Sequence, residues 1–126
     1  MDEEISAEEL RRLLDAGDPV RVVDIRSPAA FERGHIPESE NIPFAELTSR
    51  IESFDDDDHV VTVCPHGQAS VQAARLIGSY EGFRGRVVSL APGLEGWSRE
   101  YELAVGDGNE AAADGGRSDE GPDAPF

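Results

Sequence analysis

The sequence predicts an α/β fold with a parallel sheet that helices cover on both faces. Segments with the composition of strands alternate with segments of helical periodicity, and the connections between them are short. The strand segments are apolar at consecutive positions, which is typical of strands buried on both faces of a parallel sheet. Right-handed crossovers connect such strands. At 126 residues the chain is long enough for one domain of this kind.

The first predicted elements have clear boundaries. Ser6 and Glu9 have the spacing of a capping box, and leucines then recur at helical intervals until Gly17 ends the pattern. Residues 20–25 are β-branched and mostly apolar, so they form the first predicted strand. Ser27 is a suitable N-terminal cap for a short helix, and the proline directly after it is a favourable first helical residue.

The other predicted elements continue this alternation. They are an extended piece at residues 41–42, helical turns within 44–54, an exposed acidic loop at 55–58, strands at 59–63 and 86–90, and helices at 70–80 and 94–103. From residue 104 to 126, glycine, alanine and acidic residues dominate without periodicity. We therefore expect a domain at residues 1–103 and a disordered tail at residues 104–126.

The chain is strongly acidic. It has 27 acidic side chains against 11 arginines, no lysine, and a formal net charge of -16. Nucleic-acid binding needs a cationic surface, so we expect no nucleic-acid partner. At ~1 M salt the Debye length falls to about 3 Å, which screens most self-repulsion. We therefore expect a halophilic protein from a salt-rich cytoplasm. The alternative is an acidic protein from a mesophile, in which the negative charge serves to keep the protein soluble.

No segment suits a membrane span or a secretion signal. No run approaches the ~20 apolar residues of a transmembrane helix, and the first four residues include three acids instead of a basic start. The single cysteine excludes an internal disulfide and fits a reducing compartment. We expect a cytoplasmic protein with no membrane partner.

Cys64 is the candidate reactive residue. It lies where a predicted strand ends and a loop leads into a helix, the position at which parallel α/β sheets bind ligands. The helix N-terminus would favour the thiolate, which matters because only about 3% of a thiol with a pKa of about 8.5 is ionised at pH 7. Gly67 allows a tight turn round the sulfur, and Pro65 restricts the loop. The alternative is an inert buried thiol.

Five segments of the chain resemble rhodanese domains. They are DIRSP at 24–28, FERGHIP at 31–37, NIP at 41–43, CPHGQAS at 64–70 and PGLEGW at 92–97. The first three look like the front half of those domains, the fourth like their active loop, and the fifth like their closing segment. The resemblance covers residues 5–103 in the right order, and it implies a rhodanese-like fold with a central parallel five-stranded sheet and helices on both faces.

Rhodanese-like enzymes move a sulfane sulfur through a cysteine persulfide. By this resemblance, Cys64 is the nucleophile and sulfur carrier, and the loop amides after it, except the proline nitrogen, hold the persulfide. The implied substrate-binding loop consists of Pro65, His66, Gly67, Gln68, Ala69 and Ser70. The donor would be thiosulfate, a small persulfide or a persulfide on a partner protein, and the acceptor a thiol or a cyanide-like nucleophile. The resemblance implies no cofactor.

The loop departs from the family in its charge. Many members have arginine where this chain has Ala69, and often another cation in the loop, to hold dianionic thiosulfate. Here the loop offers only His66 and Gln68. His66 could be partly protonated and attract an anionic donor, or it could be a solvent-facing loop residue. We therefore expect a persulfide, from a thiol or a partner protein, to be preferred over thiosulfate.

Three residues outside the loop are candidates for a supporting role: Asp24, Arg26 and Trp97. We expect Asp24 to accept loop N–H bonds and Arg26 to pair with Glu32, with a role as acid or base as the alternative. Trp97 is expected in the core or the pocket lining. His35 is expected to fix a turn. The histidines and the cysteine lack the spacing of a metal site.

Two other functions share parts of this pattern. Cysteine phosphatases and arsenate reductases also hold a thiolate in an anion-binding loop, but that loop is one residue longer and has an arginine where this chain has Ser70. Without that arginine, phosphoryl transfer lacks its main charge clamp. A non-catalytic rhodanese module for binding or regulation is the other alternative. Cys64 and the glycine loop argue against it, whereas Ala69 argues for it.

Overall fold

The computed structural model describes residues 3–106, so most of the predicted tail lies outside the described residues. The strands are β1 (Glu4–Ile5), β2 (Arg21–Asp24), β3 (Glu40–Asn41), β4 (His59–Val63) and β5 (Arg86–Leu90). The α-helices are α1 (Ala7–Ala16), α2 (Pro28–Arg33), α3 (Ala69–Ser79) and α4 (Gly93–Ser98), and two 3₁₀ segments span Phe44–Glu46 and Thr48–Phe54. No helix between residues 3 and 106 is long and apolar enough to cross a membrane.

The five strands form one parallel sheet in the order β1-β5-β4-β2-β3. Helices α1 and α4 contribute to the core on one face, and α3 and the 3₁₀ segments contribute to the core on the other. The predicted fold class is therefore confirmed. Because β4 is central and all strands run in the same direction, the loop after β4 lies at the carboxyl edge of the sheet, between the ends of β5 and β2.

The side chains of β4 alternate between the two cores. Val61 and Val63 pack with α1 and α4, whereas Val60 packs on the α3 side, and all three are fully buried. This burial explains the consecutive apolar positions of the strand. Thr62 is the polar exception: it points toward α3, and its register partner in β5 is Ser89.

The N-terminal segment contains a predicted cap and a strand that the sequence pattern does not reveal. The hydroxyl of Ser6 accepts a hydrogen bond from the N–H of Glu9 at 3.0 Å, as the capping box predicts. Just before it, β1 pairs with Ser89 and Leu90 of β5. A strand of two residues is too short to show periodicity, so only the family resemblance implied a fifth strand.

The last helix is shorter than predicted. A helix was expected over residues 94–103, but α4 ends at Ser98. The chain then turns back, so that Leu103 packs against Gly34 and Ala104 forms an antiparallel bridge with His35. Two backbone hydrogen bonds, of 2.9 and 2.7 Å, make this bridge. The bridge requires extended backbone, and this tertiary pairing overrides the helical pattern of the segment.

The acidic excess predicts that the fold becomes more stable as salt is added. The chain carries a formal charge of -16, and salt screens repulsion between exposed charges. Between about 0.1 M and about 2 M KCl, we expect the Tm to rise by ~4–8 °C for each kcal/mol of repulsion removed. Thermal unfolding followed by circular dichroism measures this. Near pH 4, where carboxylates begin to protonate, the rise should be smaller. A Tm that is constant or falls with salt would contradict the expectation.

Candidate active site

Cys64 lies at the carboxyl end of the central strand, directly after β4. Its side chain is 2% exposed. α3 begins at Ala69, one residue before the predicted start at 70, so residues 64–68 form the loop between the strand end and the helix start. The position therefore combines a buried sulfur with the N-terminus of a helix.

The sulfur of Cys64 takes the position of an N-terminal cap for α3. The backbone N–H of Gly67 donates to Cys64 Sγ at 3.1 Å, and that of Ser70 donates at 3.3 Å. The residue before the helix, Gln68, makes no side-chain capping bond. The first N–H groups of any helix lack intrahelical partners, and they stabilise negative charge. Here that stabilisation is directed at the sulfur.

Hydrogen bonds make the Cys64 thiolate easier to form. Burial alone raises the pKa of the Cys64 thiol. The Ser70 hydroxyl, 3.3 Å from the sulfur, and the backbone N–H groups of Ser70, His66 and Gly67 lower this pKa by more. The pKa of Cys64 therefore lies below the ordinary value for cysteine, in the direction that a nucleophilic thiolate requires.

Two further hydroxyl groups lie behind Ser70. Ser89 Oγ is 2.6 Å from Ser70 Oγ, and Thr62 Oγ1 donates to the Ser70 carbonyl oxygen at 2.7 Å. All three side chains are fully buried. Because Thr62 and Ser89 are register partners, β4 and β5 present adjacent hydroxyls to the first turn of α3. Buried hydroxyls need hydrogen-bond partners, and both find one on Ser70.

Two glycines allow the loop to pass close to its neighbours. Gly67 has a φ of +80°, and a Cβ there would collide with the carbonyl oxygen of Ala91. Gly93 has a φ of +70°, and a Cβ there would collide with the carbonyl oxygen of Pro65 and lie 2.7 Å from the nitrogen of Gly67. Both positions therefore require glycine for backbone conformation and for space.

The start of α4 holds the loop by its carbonyl groups. The N–H of Leu94 donates to the carbonyl oxygen of Cys64 at 2.8 Å, and the N–H of Glu95 donates to that of Pro65 at 3.1 Å. The segment at 92–97, which the sequence marked as a motif, thus buttresses the loop through the backbone. These bonds anchor the part of the loop just before Gly67, whose N–H donates to the sulfur.

Residues 6–100 match the family model described as a rhodanese-like domain. The chain belongs to the rhodanese-like family. The matched range includes the Cys64 loop and the two helices whose first residues hydrogen-bond to it, α3 and α4. The family resemblance of the sequence is therefore confirmed.

Relatives of this rhodanese-like chain are named for sulfur chemistry. It is 34% identical over 101 residues to the thiosulfate sulfurtransferase GlpE of Pseudoalteromonas translucida. The aligned residues cover 80% of this chain and 93% of that relative. It is 29% identical over 99 residues to YrkF of Bacillus subtilis, named as a sulfur carrier, covering 79% of this chain. The chain matches only 52%, about half, of YrkF. The solved structure of the human single-domain sulfurtransferase TSTD1 has 29% identity and a TM-score of 0.69, covering 81% of this chain and all of TSTD1.

The rim of the loop carries little positive charge. Pro65, His66, Gln68 and Ala69 are exposed. The Nδ1 of His66 lies 3.6 Å from the carboxylate of Glu95, and the two side chains are 63% and 59% exposed. The histidine of the loop therefore faces an acid, and Ala69 adds no charge. Such a rim is poorly suited to a dianionic ligand.

Asp24 and Arg26 bind each other. The guanidinium of Arg26 forms a salt bridge of 2.7 Å with the Asp24 carboxylate, which is 1% exposed, and also donates to the carbonyl oxygen of Gly34 at 2.6 Å. The expected pairing of Arg26 with Glu32 is therefore wrong, because the buried carboxylate two residues away is the nearer partner. Asp24 also accepts the N–H of Arg26 at 3.0 Å, a loop N–H bond of the predicted kind.

Trp97 and His35 are both buried in structural surroundings. Trp97 is fully buried in the core on the α1 and α4 face, whereas Cys64 belongs to the core on the α3 face. The Nδ1 of His35 is 2.7 Å from the carbonyl oxygen of Phe31, and the two rings stack with centroids 3.8 Å apart. These contacts fix the turn after α2. Among residues 3–106, no three or more His, Cys, Asp or Glu side chains are grouped so that they could hold a metal ion.

Sequence reasoning overlooked Ser89 as a residue of the site. Its signal was weak but present, because Ser89 and Thr62 are the polar residues within the apolar runs of β5 and β4. A polar side chain in a strand buried on both faces needs an internal partner. The sequence alone does not say that this partner is the serine next to the sulfur.

Proposed function

We propose that the protein is a sulfurtransferase that carries a sulfane sulfur as a persulfide on Cys64. The observation that supports this most is the set of polar groups round the sulfur. The N–H groups of Gly67 and Ser70 donate to it at 3.1 and 3.3 Å, and the Ser70 hydroxyl lies 3.3 Å away, where it can donate once Cys64 is a thiolate. Donors fixed in this way favour a thiolate and can hold an anionic sulfur without a charged side chain. The sulfurtransferase names of two relatives agree with this function.

In the first step, the Cys64 thiolate attacks the outer sulfur of the donor. A sulfur–sulfur bond forms to Cys64, and the sulfur–sulfur bond of the donor breaks. The electron pair leaves with the donor, as a thiolate from a persulfide or as sulfite from thiosulfate. The hydrogen bonds that lower the pKa of Cys64 raise the fraction of the residue that is present as the attacking thiolate.

In the second step, a nucleophilic acceptor attacks the outer sulfur of the Cys64 persulfide. The acceptor, a thiolate or a cyanide-like nucleophile, keeps that sulfur, and Cys64 leaves as the thiolate. A thiol with a lower pKa leaves faster, so the same hydrogen bonds assist both steps. No cofactor takes part in either step of this mechanism.

We infer that the preferred donor is a persulfide on a small thiol or on a partner protein in the cytoplasm. Thiosulfate carries two negative charges, and the rim offers it Ala69 and a histidine that faces Glu95. A persulfide carries at most one charge at the reacting end, so it meets less repulsion. Thiosulfate is the second candidate, because GlpE of Pseudoalteromonas translucida is named a thiosulfate sulfurtransferase.

A charge added at residue 69 should shift this preference. Ala69 is exposed in the first turn of α3, so Ala69→Arg places a guanidinium at the rim without burial. We expect the kcat/KM for thiosulfate to rise about tenfold or more, because a charge-assisted hydrogen bond contributes ~1.5–3 kcal/mol. Ala69→Met is the matched control, since methionine has a similar length and helix propensity without the charge. An equal effect of both substitutions, or no rise with arginine, would argue against charge as the cause.

The proposed function is tested by turnover with two donors. The protein is mixed with cyanide and either thiosulfate or glutathione persulfide, and thiocyanate is measured against blanks without protein and with Cys64→Ser. We expect protein-dependent thiocyanate from both donors, with the higher kcat/KM for the persulfide. If neither donor gives protein-dependent product at low or high salt, the enzymatic function is wrong and a non-catalytic binding or regulatory module is favoured.

A further inference from the structure

Ser89 lies outside the loop and outside the motifs of the sequence, yet it is close to the reacting atom. It is on β5, fully buried, and its Oγ is 2.6 Å from Ser70 Oγ. Ser70 Oγ is in turn 3.3 Å from the sulfur of Cys64. The three side chains therefore form a continuous hydrogen-bonded chain from the sheet to the sulfur.

The protons in this chain can be assigned when Cys64 is a thiolate. The thiolate has no proton, so the Ser70 hydroxyl must be the donor in its contact with the sulfur. Ser70 has one hydroxyl proton, so its Oγ can then only accept from Ser89. In the 2.6 Å contact between the serines, Ser89 is therefore the donor. If the Ser70 proton pointed to Ser89 instead, the sulfur would lose its hydroxyl donor.

We propose that Ser89 is a positioning residue, whose hydroxyl donates to Ser70 and thereby directs the Ser70 proton to the sulfur of Cys64. The inference rests on the proposed function, in which the Cys64 thiolate attacks in the first step and leaves in the second. A donor that is itself hydrogen-bonded is polarised and donates more strongly. Ser89 thus favours the thiolate in both steps without touching the sulfur or the substrate.

The charged groups around the loop remain the same when Ser89 is replaced. They include Asp24, the last residue of β2, which pairs with Arg26, and His66 of the loop, which faces Glu95 of α4. Helix α3 carries Arg75 in its second turn. The first turn of α3 contains no acidic residue. A change in thiol ionisation on replacing this neutral hydroxyl therefore reports on the hydrogen-bonded chain.

The test is the rate of alkylation of Cys64 by iodoacetamide as a function of pH, in the absence of any sulfur donor. Because Cys64 is the chain's single cysteine, the rate reports on one thiol. For Ser89→Ala we expect a midpoint at higher pH and about a threefold slower reaction below the midpoint, the size of a modest hydrogen-bond loss. The plateau at high pH should not fall, because there the thiolate is fully formed in both proteins and a thiolate of higher pKa is no less nucleophilic.

A double-mutant cycle separates positioning from a structural effect. If Ser89 acts through Ser70, then Ser89→Ala should have no further effect on the midpoint in a Ser70→Ala background. Thr62→Val is the matched control, since Thr62 is equally buried but contacts the Ser70 carbonyl and not its hydroxyl. An undiminished shift in the Ser70→Ala background, an equal shift in Thr62→Val, or no shift in Ser89→Ala would each overturn the proposal.

A second pair of variants covers the case in which Ser89→Ala does not fold. Ser89→Thr and Ser89→Val have nearly the same shape, and only threonine retains the hydroxyl. We expect the midpoint for threonine to lie at lower pH than that for valine, and equal midpoints would overturn the proposal. Because alkylation needs no sulfur donor, its outcome is independent of turnover. A Ser89 effect without sulfur transfer would contradict only the proposed function, and transfer without a Ser89 effect would contradict only the positioning.

Discussion

Cys64→Ser is expected to reduce sulfur transfer by at least about a thousandfold, to the rate of the blank without protein. Serine cannot form the persulfide, and its hydroxyl does not ionise near neutral pH. Its oxygen can still accept the N–H groups of Gly67 and Ser70, which now bind the sulfur at 3.1 and 3.3 Å. The cap of α3 is therefore retained, and the Tm should change little.

Thiocyanate formation, with the Tm measured on the same samples, decides this prediction. A folded Cys64→Ser protein that still transfers sulfur would show that Cys64 is not the carrier. A wild-type protein with the activity of the variant would show that the chain does not transfer sulfur to cyanide at all. Both results would remove the basis for assigning a catalytic role to the loop.

Gly93→Ala is expected to destabilise the fold by about 2–4 kcal/mol and to slow alkylation of Cys64 near neutral pH. The added Cβ would collide with the carbonyl oxygen of Pro65 and lie 2.7 Å from the nitrogen of Gly67. That nitrogen carries the N–H that donates to the sulfur at 3.1 Å. Relief of the collision must therefore move the loop, and the thiolate then loses part of its stabilisation.

Gly17→Ala is the matched control for this substitution. Gly17 has a φ of +74°, close to the +70° of Gly93, but a Cβ at Gly17 would meet no atom within 4 Å. It should therefore cost only the strain of a left-handed alanine, about 1–2 kcal/mol. Urea unfolding measures both variants, and iodoacetamide measures the thiol. If Gly93→Ala behaves like Gly17→Ala in stability and leaves alkylation unchanged, α4 does not buttress the loop.

The parts of the fold and site that sequence predicts are those fixed by local rules. The residues of β4 are apolar at consecutive positions because both faces of the strand are buried, and this alone places Cys64 at a strand end. A glycine in the loop already indicates a tight turn, because glycine readily adopts positive φ, and Gly67 does have a positive φ. The capping spacing of Ser6 likewise reflects a contact between residues three positions apart.

The parts that sequence did not predict depend on contacts between distant segments or on which side chains the fold buries. α4 ends early because Ala104 pairs with His35, which is far away in the chain. The contact between Ser89 and Ser70 depends on the register of β5 with β4 and on the position of α3 above both. Arg26 pairs with Asp24 instead of Glu32 because the Asp24 carboxylate is buried and needs a counter-charge. None of these contacts has a spacing rule that a single sequence can show.

The most direct test of the central claim, that Cys64 carries sulfur, is the intact mass of the protein after incubation with a donor. With glutathione persulfide we predict an added mass of about 32 Da, one sulfur atom, that disappears on treatment with cyanide and is absent from Cys64→Ser. With thiosulfate we predict the same adduct at a slower rate. An unchanged mass with both donors, at low and high salt, or an equal adduct on Cys64→Ser, would contradict the claim.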